Sequence, residues 1–262
     1  MNDQMNMNKI LYTFAVLATL TSCATSWRVD GSTSLSALDG NKLYLRAVKG
    51  GEVKNIDSCD VVHGEFHFAG LLDTVRMANL CMDDESIMPV VIEEGDIVIK
   101  IDNASQSVGG TPLNDSLYHF IDKHNQLSNR MNELGHRQSQ MLLDGIDEET
   151  INQQLSVEAA VISQEEDSLV THFVIDNFDN VLGPGVFMMI TSQYRYPILT
   201  PQIEYIMSKA TKQFKNDPYV REYYQTAQEN ENRMTGLSET SETPVDSVAP
   251  QTSAPLVNMP KP

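Results

Sequence analysis

Residues 97–120 read IVIKIDNASQSVGGTPLNDSLYHF, and the spacing of apolar residues changes within them. Ile97, Ile99 and Ile101 recur every second residue, the period of a strand with one buried face. From Leu113 the apolar or seam positions are Leu113, Leu117, Phe120, His124, Leu127, Met131, Leu134, Gln138 and Met141. Those steps alternate four and three, the 3.5-residue period of a coiled-coil seam. Thr111-Pro112 stands at the change, with Thr suited to the N-cap and Pro to the first helical position. The chain is therefore expected to be α+β, with strands before residue 111 and helices after it.

Upstream, Lys42–Val48 places Leu43, Leu45 and Ala47 on one face, and Lys49-Gly50-Gly51 supplies a turn. Val53–Val62 is expected to meet Glu65–Phe68 across His63-Gly64 in a tight hairpin, with Phe66 and Phe68 on one face. Val75–Met82, Met88–Ile92 and Ile97–Ile101 read as further strands, the last two joined by Glu93-Glu94-Gly95-Asp96. About seven short strands at this spacing predict an antiparallel β-sandwich or open barrel over residues 27–110.

Downstream, Asp144-Gly145 ends the first helix and Asp147 caps a second, whose seam reads Ile151, Leu155, Glu158, Ile162, Glu165, Leu169 and Phe173. The short break predicts a long antiparallel helical hairpin. His124, Gln138, Glu158 and Glu165 fall at seam positions, so parts of that seam are expected to stay wet or to meet another surface. Short helices should follow over Val186–Gln193, Gln202–Phe214 and Tyr219 to about Asn230, the last two opened by Thr200-Pro201 and Asp217-Pro218. The helical region thus spans 111–230. Residues 231–262 hold five prolines, many Ser and Thr and no aromatic residue, a composition expected to be disordered.

The N-terminus addresses location. Ile10–Leu20 is an apolar run, ILYTFAVLATL, too short for the roughly 20 residues of a spanning helix and suited to a signal-peptide core. It ends in Leu20-Thr21-Ser22-Cys23, which resembles the lipobox of bacterial lipoproteins. Cleavage would remove residues 1–22 and leave Cys23 as the lipidated first residue of a short linker, 23–26, with the acyl chains as membrane partner. Ala24, by analogy with lipoprotein sorting, favours the outer membrane. The absence of an acidic cluster in ATSWRVDG leaves a periplasm-facing position as the expectation.

The formal charge is −18, and removing residues 1–22 takes one Lys and one Asp and leaves it unchanged. Such a chain repels phosphate backbones, so nucleic acid is not an expected partner. Once Cys23 is assigned to lipid, Cys59 and Cys81 remain, an even pair that permits a disulfide in an oxidising compartment. Neither belongs to a CxxC, which argues against a dithiol redox centre.

No catalytic or metal constellation emerges. His63 and His67 would lie about 13 Å apart along a strand, too far to share an ion. His119 and Lys123 read as solvent-facing, His124 as a hydrogen-bonded seam residue, and His136 and His172 have no evident partners. There is no GxSxG. Gly109-Gly110-Thr111 precedes a helix but lacks the Lys-Ser/Thr of a P-loop, and reads as a helix-entry turn. No enzyme activity and no cofactor are expected.

Several stretches together resemble a family. They are GNKLYLRAV (40–48), Asp57-Ser58 with HGEFHFAG (63–70), VVIEEGDIVIKID (90–102), and Gly109-Gly110-Thr111 with Leu113-Asn114-Asp115. Phe173–Asn177 and Gly183 also fit. Over residues 27–225 the chain is similar to the domain of unknown function found N-terminal to thioredoxin-like, alkyl-hydroperoxide-reductase-type modules in bacterial lipoproteins. That resemblance implies a β-sandwich followed by a helical segment, with no catalytic residues to transfer. It departs where the redox module would begin, near Tyr224–Asn230, and no Cys follows Cys81. The expectation is a non-catalytic, lipid-anchored envelope protein with a protein partner. The alternatives are a small-ligand or glycan-binding lipoprotein, or an accessory subunit to a separate thioredoxin-like protein.

Overall fold

The computed structural model describes residues 25–49 and 52–236. The leader with Cys23, the Gly50-Gly51 turn and residues 237–262 of the expected tail lie outside them. Eight strands form two four-stranded sheets: β1 (Ser26–Thr33), β2 (Lys42–Lys49), β3 (Glu52–Asp60), β4 (Glu65–Leu71), β5 (Arg76–Met82), β6 (Glu85–Ile92), β7 (Gly95–Ile101) and β8 (Gln106–Gly109). The first sheet runs β4-β1-β7-β8 and the second β3-β2-β5-β6. Phe66, Phe68, Ile97 and Ile99 of the first and Leu43, Leu45, Leu80 and Val90 of the second all belong to one buried cluster. The α+β class and the sandwich-like pair of sheets are as expected.

Three details differ. β1 and β8 have no counterpart among the expected strands, and β1 pairs parallel to β7, while every other named pair is antiparallel. Two glycines explain how β1 packs. Gly31 stands opposite Phe66 and Gly70 opposite Trp27, so each aromatic ring lies over a residue without a Cβ. A Cβ on Gly31 would sit 2.0 Å from the Phe66 ring.

The hairpin expected at His63-Gly64 is a corner between sheets. His63 (φ 54°) and Gly64 (φ 77°) form a two-residue turn closed by the Val62–Glu65 bridge. Beyond that bridge β3 pairs only with β2 and β4 only with β1. The turn chemistry was legible; the divergence follows because β4 buries Phe66 and Phe68 against β1, a non-local pairing.

The helices are α1 (Pro112–Leu143), α2 (Glu148–Asp176), α3 (Leu182–Thr191), α4 (Pro201–Lys209), α5 (Lys212–Asn216) and α6 (Pro218–Met234). Residues 202–214 form two helices rather than one. Ala210 is extended (ψ 135°), and the Thr211 side chain accepts from Phe214 N–H while its hydroxyl donates to Asp179 Oδ1 (3.0 Å). A hydroxyl that satisfies a new N-terminus competes with helix continuation. α6 also runs four residues past the expected end at 230.

With 32 residues, α1 is about 48 Å long. Arg137 Nη1 pairs with Glu158 Oε2 (2.8 Å), and Arg130 pairs with Glu165, so α2 descends as α1 rises. Glu158 and Glu165, expected at the seam, therefore lie on its charged flank, and Ala159 and Glu166 turn partly inward instead. The base of this hairpin joins the main core through Leu117, Phe120, Val170 and Val174. Its far half has a separate small core of Leu134, Ile151, Leu155 and Ile162. It is a two-helix finger, tied to the body at one end.

Candidate functional site

The densest buried polar network joins the sandwich to the finger. Asn114, in the first turn of α1, is fully buried. Its Oδ1 accepts from Val91 N–H (2.8 Å) and its Nδ2 donates to Val91 C=O (2.8 Å), Thr111 Oγ1 (2.8 Å) and Glu93 Oε1 (3.2 Å). Glu93, 7 % exposed, also accepts from Leu113 N–H (2.9 Å) and Asn114 N–H (3.0 Å). The expected Thr111 cap makes no side-chain cap bond; Glu93, arriving from the sheet, takes that role. A carboxylate at a helix N-terminus is favoured by the unpaired N–H groups and by the helix dipole.

Farther along α1, Tyr118 Oη donates to Pro89 C=O (2.9 Å), and burial pushes its hydroxyl well above the ordinary phenol range. β6 has one strand neighbour, β5, and its open edge would leave unpaired backbone groups. The side chains of Asn114 and Tyr118 cover that edge. Asp115 Oδ1 accepts from Gly110 N–H (3.0 Å) and closes the turn (Gly110 φ 90°) between β8 and α1. The Gly109-Gly110-Thr111 turn is thus a helix entry whose polar groups are used internally, and the network fastens one part of the chain to another.

Cys59 and Cys81 are both free thiols, one half-buried and one buried. The disulfide that their number permitted is not formed, for a geometric reason. They sit on β3 and β5, on either side of β2, so two strand spacings of roughly 4.8 Å separate them. Cys59 stands opposite Leu43 and Cys81 opposite Tyr44, adjacent residues whose side chains point to opposite faces. Burial pushes the Cys59 thiol up to about 11 and raises that of Cys81 as well. Cys23 lies outside the described residues.

The histidines remain apart. His63 is exposed at the corner turn, and His67 Nδ1 lies 3.0 Å from Asp30 Oδ1 on the outer face of the first sheet. His119 and His136 are exposed, and His172 Nδ1 stays within its own helix, 2.7 Å from Ser168 C=O. His124 Nε2 lies 3.0 Å from Glu166 Oε1, across the finger base, while its Nδ1 is buried without a partner. Among the described residues no three His, Cys, Asp or Glu side chains converge as a metal site. No described helix is long and apolar enough to cross a membrane.

The sandwich offers no aromatic platform. Trp27, Phe66 and Phe68 are core, and the half-buried Tyr44 lies under the Arg46 guanidinium (4.9 Å to the ring centroid). Exposed large apolar or aromatic side chains include Leu142, Leu143, Val157 and Val161 on the far half of the finger, and Tyr194, Tyr196 and Tyr205 on the loop after α3 and on α4. Val48, Val53, Val62, Leu71 and Val98 are also exposed, scattered over the sandwich.

No curated protein and no solved structure matches the chain. The match to a known family spans the sandwich and ends at Leu117, within the turns of α1 that carry Asn114. Residues 27–117 carry the domain described as "Domain of unknown function (DUF4369)".

Proposed function

We propose that this chain is a lipid-anchored cell-envelope protein that acts through protein contacts made by its helical finger. The observation that carries the interaction reading is the finger itself. Its far half is held by a satellite core of four buried residues, apart from the main core. It also exposes Val157 (69 %) and Leu143 (83 %). Apolar side chains displayed on a projecting element suit a partner's groove better than they suit water. Anchoring is supported by Leu20-Thr21-Ser22-Cys23, and a periplasm-facing position on the outer membrane by Ala24 and by the absence of an acidic cluster in ATSWRVDG.

A photo-crosslinking residue placed at Val157 or Leu143 tests the contact in intact cells, with the exposed Lys100 on β7 of the first sheet as reference. The expected result is a discrete adduct of constant mass from the finger positions and none from position 100. Equal, diffuse labelling from all three positions would refute the reading.

A further inference from the structure

Residues 205–221, YIMSKATKQFKNDPYVR, invert the charge of the chain. They hold Lys209, Lys212, Lys215 and Arg221 against the single acid Asp217, in a protein of net charge −18. All four cations are exposed, and none makes an ion pair among the described residues. Elsewhere Arg28, Lys42, Arg46, Lys54, Arg76, Arg130 and Arg137 each have a carboxylate within reach. Lys100, Lys123, Arg195 and Arg233 are exposed without an ion pair among the described residues, but they stand singly along the chain. Asp217 is itself occupied, its Oδ1 accepting from Tyr219 and Val220 N–H at the start of α6.

The patch stands on a rigid base. Phe214, between Lys212 and Lys215, is fully buried with its ring 4.6 Å from Phe178 and 5.6 Å from Phe187. Gln213 Nε2 donates to Asp179 C=O (3.0 Å), and Lys209 lies over the exposed Tyr205 ring (5.7 Å). Glu204 and Glu222 flank the segment without an ion pair to its cations, and Asp179 is hydrogen-bonded to Thr211 and Gln213 rather than to a lysine. The result is an exposed tyrosine beside Lys209, with Lys212 and Lys215 on a short helix pinned to the core by Phe214.

We infer that this face docks against an anionic phospholipid surface. Lysines near such a surface are attracted within a Debye length, and tyrosine is favoured at the headgroup level. The choice of lipid over an acidic polypeptide rests on the anchored reading above. A tethered chain of net charge −18 is repelled from anionic headgroups at its acidic faces, which leaves this face to turn toward them.

The test uses the full chain extracted from membranes and placed in nanodiscs of phosphatidylcholine alone or mixed with phosphatidylglycerol. Amine acetylation is then read at each lysine by mass spectrometry. Acetylation of Lys209, Lys212 and Lys215 should fall about threefold or more on the anionic discs, with Lys54 and Lys100 unchanged, and recover in high salt. The K209Q/K212Q/K215Q chain should lose its preference for anionic discs, and the matching Arg variant should keep it. Equal acetylation on both discs overturns the inference, as does protection by soluble polyglutamate equal to that on phosphatidylglycerol. Failure of the anchor reads differently: the chain would leave phosphatidylcholine discs while its lysines remained protected on anionic ones.

Discussion

The side chain of Asn114 pairs with both backbone groups of Val91, accepting from its N–H and donating to its C=O at 2.8 Å each. A helix residue thereby takes the place of a missing strand beside β6. Sheet and finger are joined by hydrogen bonds at this point, in addition to the apolar contacts of the core.

Replacing Asn114 by Ala would leave both Val91 groups buried and unpaired, a loss of about 2–4 kcal/mol. Asn114→Asp should be no better, since it removes the donor and places a carboxylate beside Glu93. Urea unfolding measures the change, and a loss below about 1 kcal/mol for N114A would show that water or a shifted side chain replaces the pairing.

Gly31→Ala should cost about 2–3 kcal/mol through overpacking against the Phe66 ring. If that clash is the cause, adding Phe66→Leu should return part of the loss, a non-additive result expected of neighbours in contact. Additive losses in thermal unfolding would place the fault in the β1 backbone instead.

The finger should open independently of the body. Ile162→Ala removes a fully buried side chain of the satellite core and should cost about 2–4 kcal/mol there. In hydrogen exchange, protection should fall across residues 127–160 and hold in β1, β2 and β7. Arg137→Ala breaks a half-exposed pair and should cost less than about 1 kcal/mol. Loss of protection in the sheets on Ile162→Ala would mean that finger and sandwich unfold as one unit.

Cys59 and Cys81 should both titrate as thiols after unfolding without reductant, and both should react slowly in the folded protein at pH 8, where burial holds them protonated. Their raised folded values mean that the folded state holds these protons more tightly than the unfolded chain. Stability from this source is therefore present below about pH 9 and declines as pH rises toward about 11. A lipidated chain should show no third thiol. A Cys59–Cys81 disulfide recovered by mass spectrometry from the native protein would contradict the strand placement.

Local patterning made much of this fold legible. The change of period at Thr111, the cap-and-Pro pairs at Thr200 and Asp217, and the alternation in Lys42–Val48 all reappear as element boundaries or faces. What escaped depends on distant partners. β1 (SWRVDGST) carries polar and small residues, and becomes a central strand only because Phe66 and Trp27 lie across glycines. His63-Gly64 has hairpin chemistry, yet the two strands find better neighbours in separate sheets. Glu158 and Glu165 fit a strict 3.5 period but rotate to the flank, where Arg137 and Arg130 meet them. Asn114 looks like any polar residue in a first helical turn until β6 lies beside it. The cations at 209–221 stand in plain sequence, but a net charge of −18 averaged over the chain conceals them.

The claim on which the functional account rests is the lipid on Cys23. Metabolic labelling with palmitate, followed by membrane fractionation of the wild-type chain and Cys23→Ser, tests it. The account predicts that the wild-type chain is labelled, sediments with membranes and lacks residues 1–22, while the variant is unlabelled and retains them. A Cys23→Ser chain that stays labelled and membrane-bound to the same extent would contradict it.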